Sequence, residues 1–101
     1  MTVHGVEIPE KEIAQICRRN RIHRLALFGS IVRDDFRVDS DIDVLAEFEP
    51  GQPVGLLRLA ELELELSDML GRRVDLRTAG CLSRYIRDEA LREARTLYVA
   101  S

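Results

Sequence analysis

Two aspartates one residue apart, Asp41 and Asp43, stand at the mouth of the apolar run Val44-Leu45-Ala46. On a strand alternate side chains share a face, so the two carboxylates point the same way, about 6.5–7 Å apart along the backbone, while Ile42 and Val44 turn toward a core. Like charges held side by side repel unless a cation sits between them, and the natural one is a divalent metal with oxygen ligands. Upstream, a second apolar run, Leu25-Ala26-Leu27-Phe28, stops at Gly29-Ser30. Glycine lets backbone approach a ligand closely, and Ser30 could open a short helix whose free N–H groups favour phosphate. A phosphate cradle facing a metal-binding acid pair is equipment for phosphoryl or nucleotidyl transfer.

Blander readings compete at each position. The acid pair could be a solvated strand end or loop. A calcium loop is a sharper rival, because Asp39, Asp41 and Asp43 fit its first, third and fifth ligand positions. It fails where glycine and a bidentate glutamate are required, since Val44 and Pro50 stand there. No G-K-[ST] follows Gly29, so this is no Walker loop. Asp34, Asp35 and Asp39 read as exposed loop acids. His4 and His23 have no suitable partners in the sequence and receive no role.

The elements that must position these residues can be read in outline. Pro9 with Glu10 and Glu12 predicts the first turn of a helix, with Ile13, Ile16 and Cys17 as its buried stripe and Arg18-Arg19-Asn20 at its end. A strand over 24–28 delivers the chain to Gly29, a helical turn spans Ser30 to Asp34, and a polar loop fills Asp35–Ser40. The acid pair rides on a strand over 41–48, which ends before Pro50-Gly51-Gln52-Pro53. Leu62-Glu63-Leu64-Glu65-Leu66 alternates like a strand. Yet residues 54–70 hold no β-branched residue after Val54, and Leu59, Leu62, Leu66 and Met69 also fit a helical stripe. Length and the stop at Gly71 decide for helix. Leu57 and Leu64 fall off that stripe, so the helix is either deeply buried or meets a partner. Arg72 to Leu76 reads as a short strand, Thr78-Ala79-Gly80 as a loop, and 82–94 as a last helix with Leu82, Tyr85, Ile86 and Ala90 inside. Thr96 to Val99 closes as a strand.

The totals bound the function. A chain of 101 residues has room for one domain with a modest core, and none for a second domain that would enclose a large substrate. A net charge of −3 lacks the basic footprint of a nucleic-acid binder. The arginines Arg18, Arg19, Arg21 and Arg24 could form an RNA or phosphate patch, or simply a solvated helix end. Cys17 and Cys81 are widely separated, without C-x-x-C spacing or histidine companions, which argues against a disulfide or zinc and for a reduced, cytoplasmic setting. The first twelve residues have no basic start or apolar stretch of a signal peptide, and no run approaches the ~20 residues of a membrane span.

Phe28-Gly29-Ser30, Arg33 and Asp39-Ser40-Asp41-Ile42-Asp43-Val44 together resemble the signature of the polymerase-β-like nucleotidyltransferase superfamily, and in particular its smallest branch, the minimal nucleotidyltransferases (MNT, MntA-like). The resemblance runs from about Pro9 to Val99, although its discriminating residues lie between 28 and 43. It implies a single α/β (α+β) domain over residues 1–101, a small mixed β-sheet flanked by helices. It implies a third acid on a neighbouring strand, and Asp75 is the position that matches. Taken alone, Asp75 between Val74 and Leu76 is a lone acid in an apolar strand. An edge-strand surface acid, or a partner of Arg72 or Arg73, is by itself the commoner explanation.

The resemblance further implies two Mg²⁺ ions on Asp41, Asp43 and Asp75. Gly29, Ser30 and Arg33 would grip the β- and γ-phosphates of ATP, and AMP would pass to a hydroxyl with release of pyrophosphate. Arg33 could equally pair with Asp34, Asp35 or Asp39 on the surface. Members of this branch are antitoxins that adenylylate a tyrosine of a HEPN-type ribonuclease toxin, so such a toxin is the expected partner, with no membrane and no direct nucleic-acid binding. The alternative from another class is an antitoxin that neutralises its partner by occlusion alone. Transfer to RNA or a small molecule is the third possibility.

Overall fold

A computed structural model describes residues 2–51, 54–78 and 84–100, apart from the side chains at 84, 86, 87 and 90. The chain opens with a hairpin that the sequence reading did not anticipate, β1 (Thr2–Val3) and β2 (Val6–Glu7). His4 and Gly5 form its turn, both with positive φ, the backbone that a tight two-residue hairpin turn demands. Val3 and Val6 face inward and join the core.

Helix α1 (Glu10–Arg19) follows, with the expected acids in its first turn, Arg18 and Arg19 in its last, and Ile13, Ile16 and Cys17 buried. Strand β3 (Ile22–Phe28) starts two residues earlier than expected. Arg21 turns the chain sharply through a left-handed conformation, and Ile22 is already in the core. A 3-10 turn, Gly29–Val32, then leads through the loop to β4 (Ile42–Phe48). Asp41 sits just ahead of that strand.

Helix α2 (Leu56–Leu70) ends at Gly71 in the left-handed conformation (φ 67°), the expected glycine stop. Leu62, Leu66 and Leu70 form its buried stripe, with Leu59 and Met69 packed beside it. Leu56, Leu57 and Leu64 are exposed, so the helix is not buried all round. Strand β5 is Val74–Thr78, two residues later than expected, because Arg72 and Arg73 are spent on leaving Gly71. Thr78, expected in a loop, belongs to this strand. Helix α3 (Arg84–Glu93) and β6 (Arg95–Val99) finish the fold. Tyr85, expected inside, is 86% exposed. The expectations for Ala79, Gly80, Cys81, Leu82, Ile86 and Ala90 fall outside the described positions.

The main sheet has strand order β5-β4-β3-β6, with β4 parallel to β5 and the other pairs antiparallel. It is the small mixed sheet the resemblance implied. One face carries Leu25, Leu27, Ile42, Val44, Ala46, Val74 and Leu76 into a single core with α1, α2 and the hairpin. On the opposite face Ala26 and Leu45 are buried apart from that cluster, and α3 packs against β3 and the 3-10 turn. Helix α2 also fixes β5: Ser67 Oγ accepts from Val74 N (3.0 Å), and Glu63 Oε2 from Leu76 N (2.8 Å). These two N–H groups point away from β4. Side chains thereby satisfy an edge that would otherwise offer bare donors. Within the basic cluster, Arg19 in the last turn of α1 pairs with Glu65 (2.8 Å), and Arg24 on β3 with Thr96 and Glu47.

Candidate active site

The two halves of the site meet because β3 and β4 are antiparallel neighbours. The end of β3 lies beside the start of β4, with Phe28 opposite Asp43. Gly29 leaves the strand at φ 75°, a conformation that costs a residue with a side chain roughly 1–2 kcal/mol. Ile31, fully buried, pins the 3-10 turn to the core, and Arg33 N donates to Ser30 O (3.0 Å) to close it. Gly29 packs directly on the Asp43 carboxylate, leaving no space for a Cβ.

Asp75 arrives from the other side. In the parallel pairing Asp43 stands opposite Asp75, on strands ~4.8 Å apart. Ile42 opposite Val74 and Val44 opposite Leu76 are buried on the core face, so the two aspartates share the other one. Asp43 is half-buried between the turn and Asp75. Burial first, then the Asp75 charge, then Asp41 raise its pKa, while Arg77 and, more weakly, Arg33 lower it. Two carboxylates facing each other across one ladder step form the repelling pair that a cation would relieve.

Asp41 flanks this pair. Ile42 N donates to Arg73 O (2.9 Å), which ties the start of β4 to the approach of β5. Arg73 Nε lies 3.9 Å from Asp41 Oδ2. The loop before Asp41 is braced by Arg72. Its Nη2 donates to Arg37 O (3.0 Å) and Ser40 O (2.6 Å), and its guanidinium lies 4.8 Å above the Phe36 ring, which His4 also contacts. Arg72 and Arg73 are therefore not the partners of Asp75 that the plain reading suggested. That partner is Arg77, whose Nε and Nη2 meet the Asp75 oxygens at 3.0 and 3.1 Å.

Arg33 pairs with Asp35 and Glu93, each at 3.3 Å, which matches the surface role weighed against phosphate binding. Arg72, Arg73 and Arg77 escaped the sequence reading as site residues. The two-residue spacing of Arg77 from Asp75 puts both on one face, but the expected strand stopped at Leu76, and only the observed strand, Val74–Thr78, brings Arg77 into it.

The donors are all carboxylate oxygens, the set that suits a hard ion such as Mg²⁺. As the side chains stand, among the described residues no three histidine, cysteine, aspartate or glutamate groups converge on one ion position. Asp75 is forked by Arg77 and Asp41 leans toward Arg73. The fit is therefore one of donor chemistry and strand placement.

A family model described as the nucleotidyltransferase domain matches residues 10–97. The chain belongs to this nucleotidyltransferase family. That span holds the turn, all three aspartates and their arginines. The protein adenylyltransferase MntA of Thermococcus cleftensis is 37% identical over 92% of this chain and 84% of its own length. A solved structure described as a candidate minimal nucleotidyltransferase is 38% identical, with a TM-score of 0.71 over 85% of this chain and 86% of that one. A chain in the solved complex of tri-AMPylated Shewanella oneidensis HEPN toxin with MNT antitoxin shares the fold (TM-score 0.67, 22% identity, 90% and 70% covered). As a nucleotidyltransferase the chain is a transferase enzyme. Among the described residues, no helix is long and apolar enough to cross a membrane.

Proposed function

We propose that this nucleotidyltransferase moves AMP from ATP to a hydroxyl, namely a tyrosine of a HEPN-type toxin for which it serves as antitoxin. The reading rests on one observation, the register pair Asp43–Asp75 packed against Gly29. Its support in the relatives is an adenylyltransferase at 37% identity, and a shared fold with a chain of a complex containing an AMPylated HEPN toxin.

In this proposal the Gly29 and Ser30 amides and the Ser30 hydroxyl receive the β- and γ-phosphates, with Arg33 turning from Asp35 and Glu93 to meet them. Asp41, Asp43 and Asp75 would hold two Mg²⁺, which when bound supply charge neutralisation of the phosphates and acidify the acceptor hydroxyl. Asp75, on the half-exposed edge of the acid pair, receives the hydroxyl proton. The acceptor oxygen bonds to the α-phosphorus, the bond from that phosphorus to the bridging oxygen breaks, and pyrophosphate leaves. The acceptor tyrosine in this reading is the toxin's own, so the partner presents it to the acids. A cytoplasmic setting without membrane or direct nucleic-acid contact goes with this reading.

One observation favours the rival, occlusion without transfer: Arg73 and Arg77 stand on two of the three acids. Incubation with labelled ATP, Mg²⁺ and the candidate toxin separates the two. Label on the toxin that disappears with Asp43→Ala supports transfer. Neutralisation that survives Asp41→Ala with Asp43→Ala, with no label in the wild type, supports occlusion.

A further inference from the structure

Arg77 and Asp75 lie two residues apart on β5, so both side chains leave the same face of the sheet. The guanidinium forks the carboxylate, with Nε 3.0 Å from Oδ1 and Nη2 3.1 Å from Oδ2. One planar cation thus engages both oxygens of Asp75, in the geometry that arginine–carboxylate pairs favour. Asp75 stands opposite Asp43 in the β4–β5 register, so the guanidinium is held on one member of a pair of carboxylates that face each other across the ladder.

The other arginines near the acids do not do this. Arg73 touches Asp41 only at 3.9 Å and is 85% exposed, and Arg33 is held by Asp35 and Glu93. Among the described side chains, Arg77 stands where a cation would relieve the Asp43–Asp75 repulsion. Both partners of the fork are reached by water (47% and 37% exposed), so a cation from solution can compete for the carboxylate.

We propose that Arg77 is a stand-in for the metal. It occupies the Asp75 oxygens that a divalent cation would use, and it must swing off before the acids can take one. Cation uptake and the Asp75–Arg77 fork are then mutually exclusive, and the arginine sets how much cation is needed to load the site. This rests on the reading of the three acids as a metal site. It adds that an arginine of the same strand competes with the cation for Asp75.

The test is a binding measurement on the ligand-free full chain, with free Mn²⁺ counted by its electron paramagnetic resonance signal. Arg77→Gln, which can neither fork nor carry charge, is expected to bind Mn²⁺ about tenfold more tightly, as when a binding-competent state of roughly one-tenth population is made dominant. Arg77→Lys keeps the charge but loses the fork, and is expected to fall between Arg77→Gln and wild type. In the wild type, the Arg77 Nε–H resonance, assigned by its absence from Arg77→Lys, is expected to shift as Mg²⁺ is added. Equal Mn²⁺ affinity in all three proteins, or an Arg77 resonance that ignores Mg²⁺ while the ion binds, overturns the proposal alone. No uptake by any of the three overturns it together with the metal reading of the acids.

Discussion

Gly29 and Asp43 stand in such close contact that a Cβ on residue 29 would fall onto Asp43 Oδ2, only 3.0 Å from its Cγ. Space and backbone conformation agree, since Gly29 also has a left-handed φ of 75°. Gly29→Ala should therefore cost roughly 1–3 kcal/mol of stability and push the Asp43 carboxylate out of its place beside Asp75. The expected result is a fall in AMP transfer well beyond what the unfolded fraction explains. Urea unfolding and labelled-ATP transfer on the same sample check it.

Asp43 makes the fold sensitive to pH in a direction that can be worked out. Burial first, then Asp75, hold its pKa above the ordinary 3.8, so the folded chain keeps that proton more tightly than the unfolded one. Below 3.8 both states are protonated and the group contributes nothing to the difference. As pH rises through the window from 3.8 to the raised native value, the fold resists an ionisation that the unfolded chain undergoes freely, and stability is lost. Asp43→Asn has no such loss. Urea unfolding from below pH 3.8 to neutrality should show wild type declining relative to Asp43→Asn across that window. A relative gain for wild type would mean that Arg77 outweighs burial and Asp75.

Cys17 lies fully buried on the core face of α1, and burial pushes its thiol up to about 12. The thiolate is the reactive form, so the folded chain should resist iodoacetamide at this position near pH 8. Denaturant should expose it. Mass spectrometry of the peptide containing Cys17, before and after unfolding, reads this out independently of Cys81.

The two faces of α2 should respond oppositely to truncation. Leu66 is 1% exposed in the core, and Leu66→Ala should cost about 2–5 kcal/mol. Leu64 is 68% exposed, and Leu64→Gln should change stability by no more than about 0.5 kcal/mol. Chemical denaturation of both variants decides this. A large loss from Leu64→Gln would mean that this face is covered in solution.

Local chemistry already determines much of this protein. The alternation of Ile42, Asp43 and Val44 fixed which way the acids face, because a strand can hide only one side. The proline and acids that open α1, its Ile13-Ile16-Cys17 stripe, and Gly71 at the end of α2 marked those helices, because capping and periodicity are written within a few residues. The stop of the apolar run at Gly29-Ser30 marked the turn, because glycine readily takes the left-handed backbone found there.

Tertiary structure decided what no neighbour in sequence could. Asp75 meets Asp43 only because β5, tied to α2 through Ser67 and Glu63, runs parallel to β4 with these two residues opposite each other, and pairing across about thirty residues leaves no local trace. Which arginine serves which acid was equally hidden. Arg72 braces a loop, Arg73 approaches Asp41 and Arg77 forks Asp75. A long guanidinium reaches several partners, and only the folded backbone selects among them.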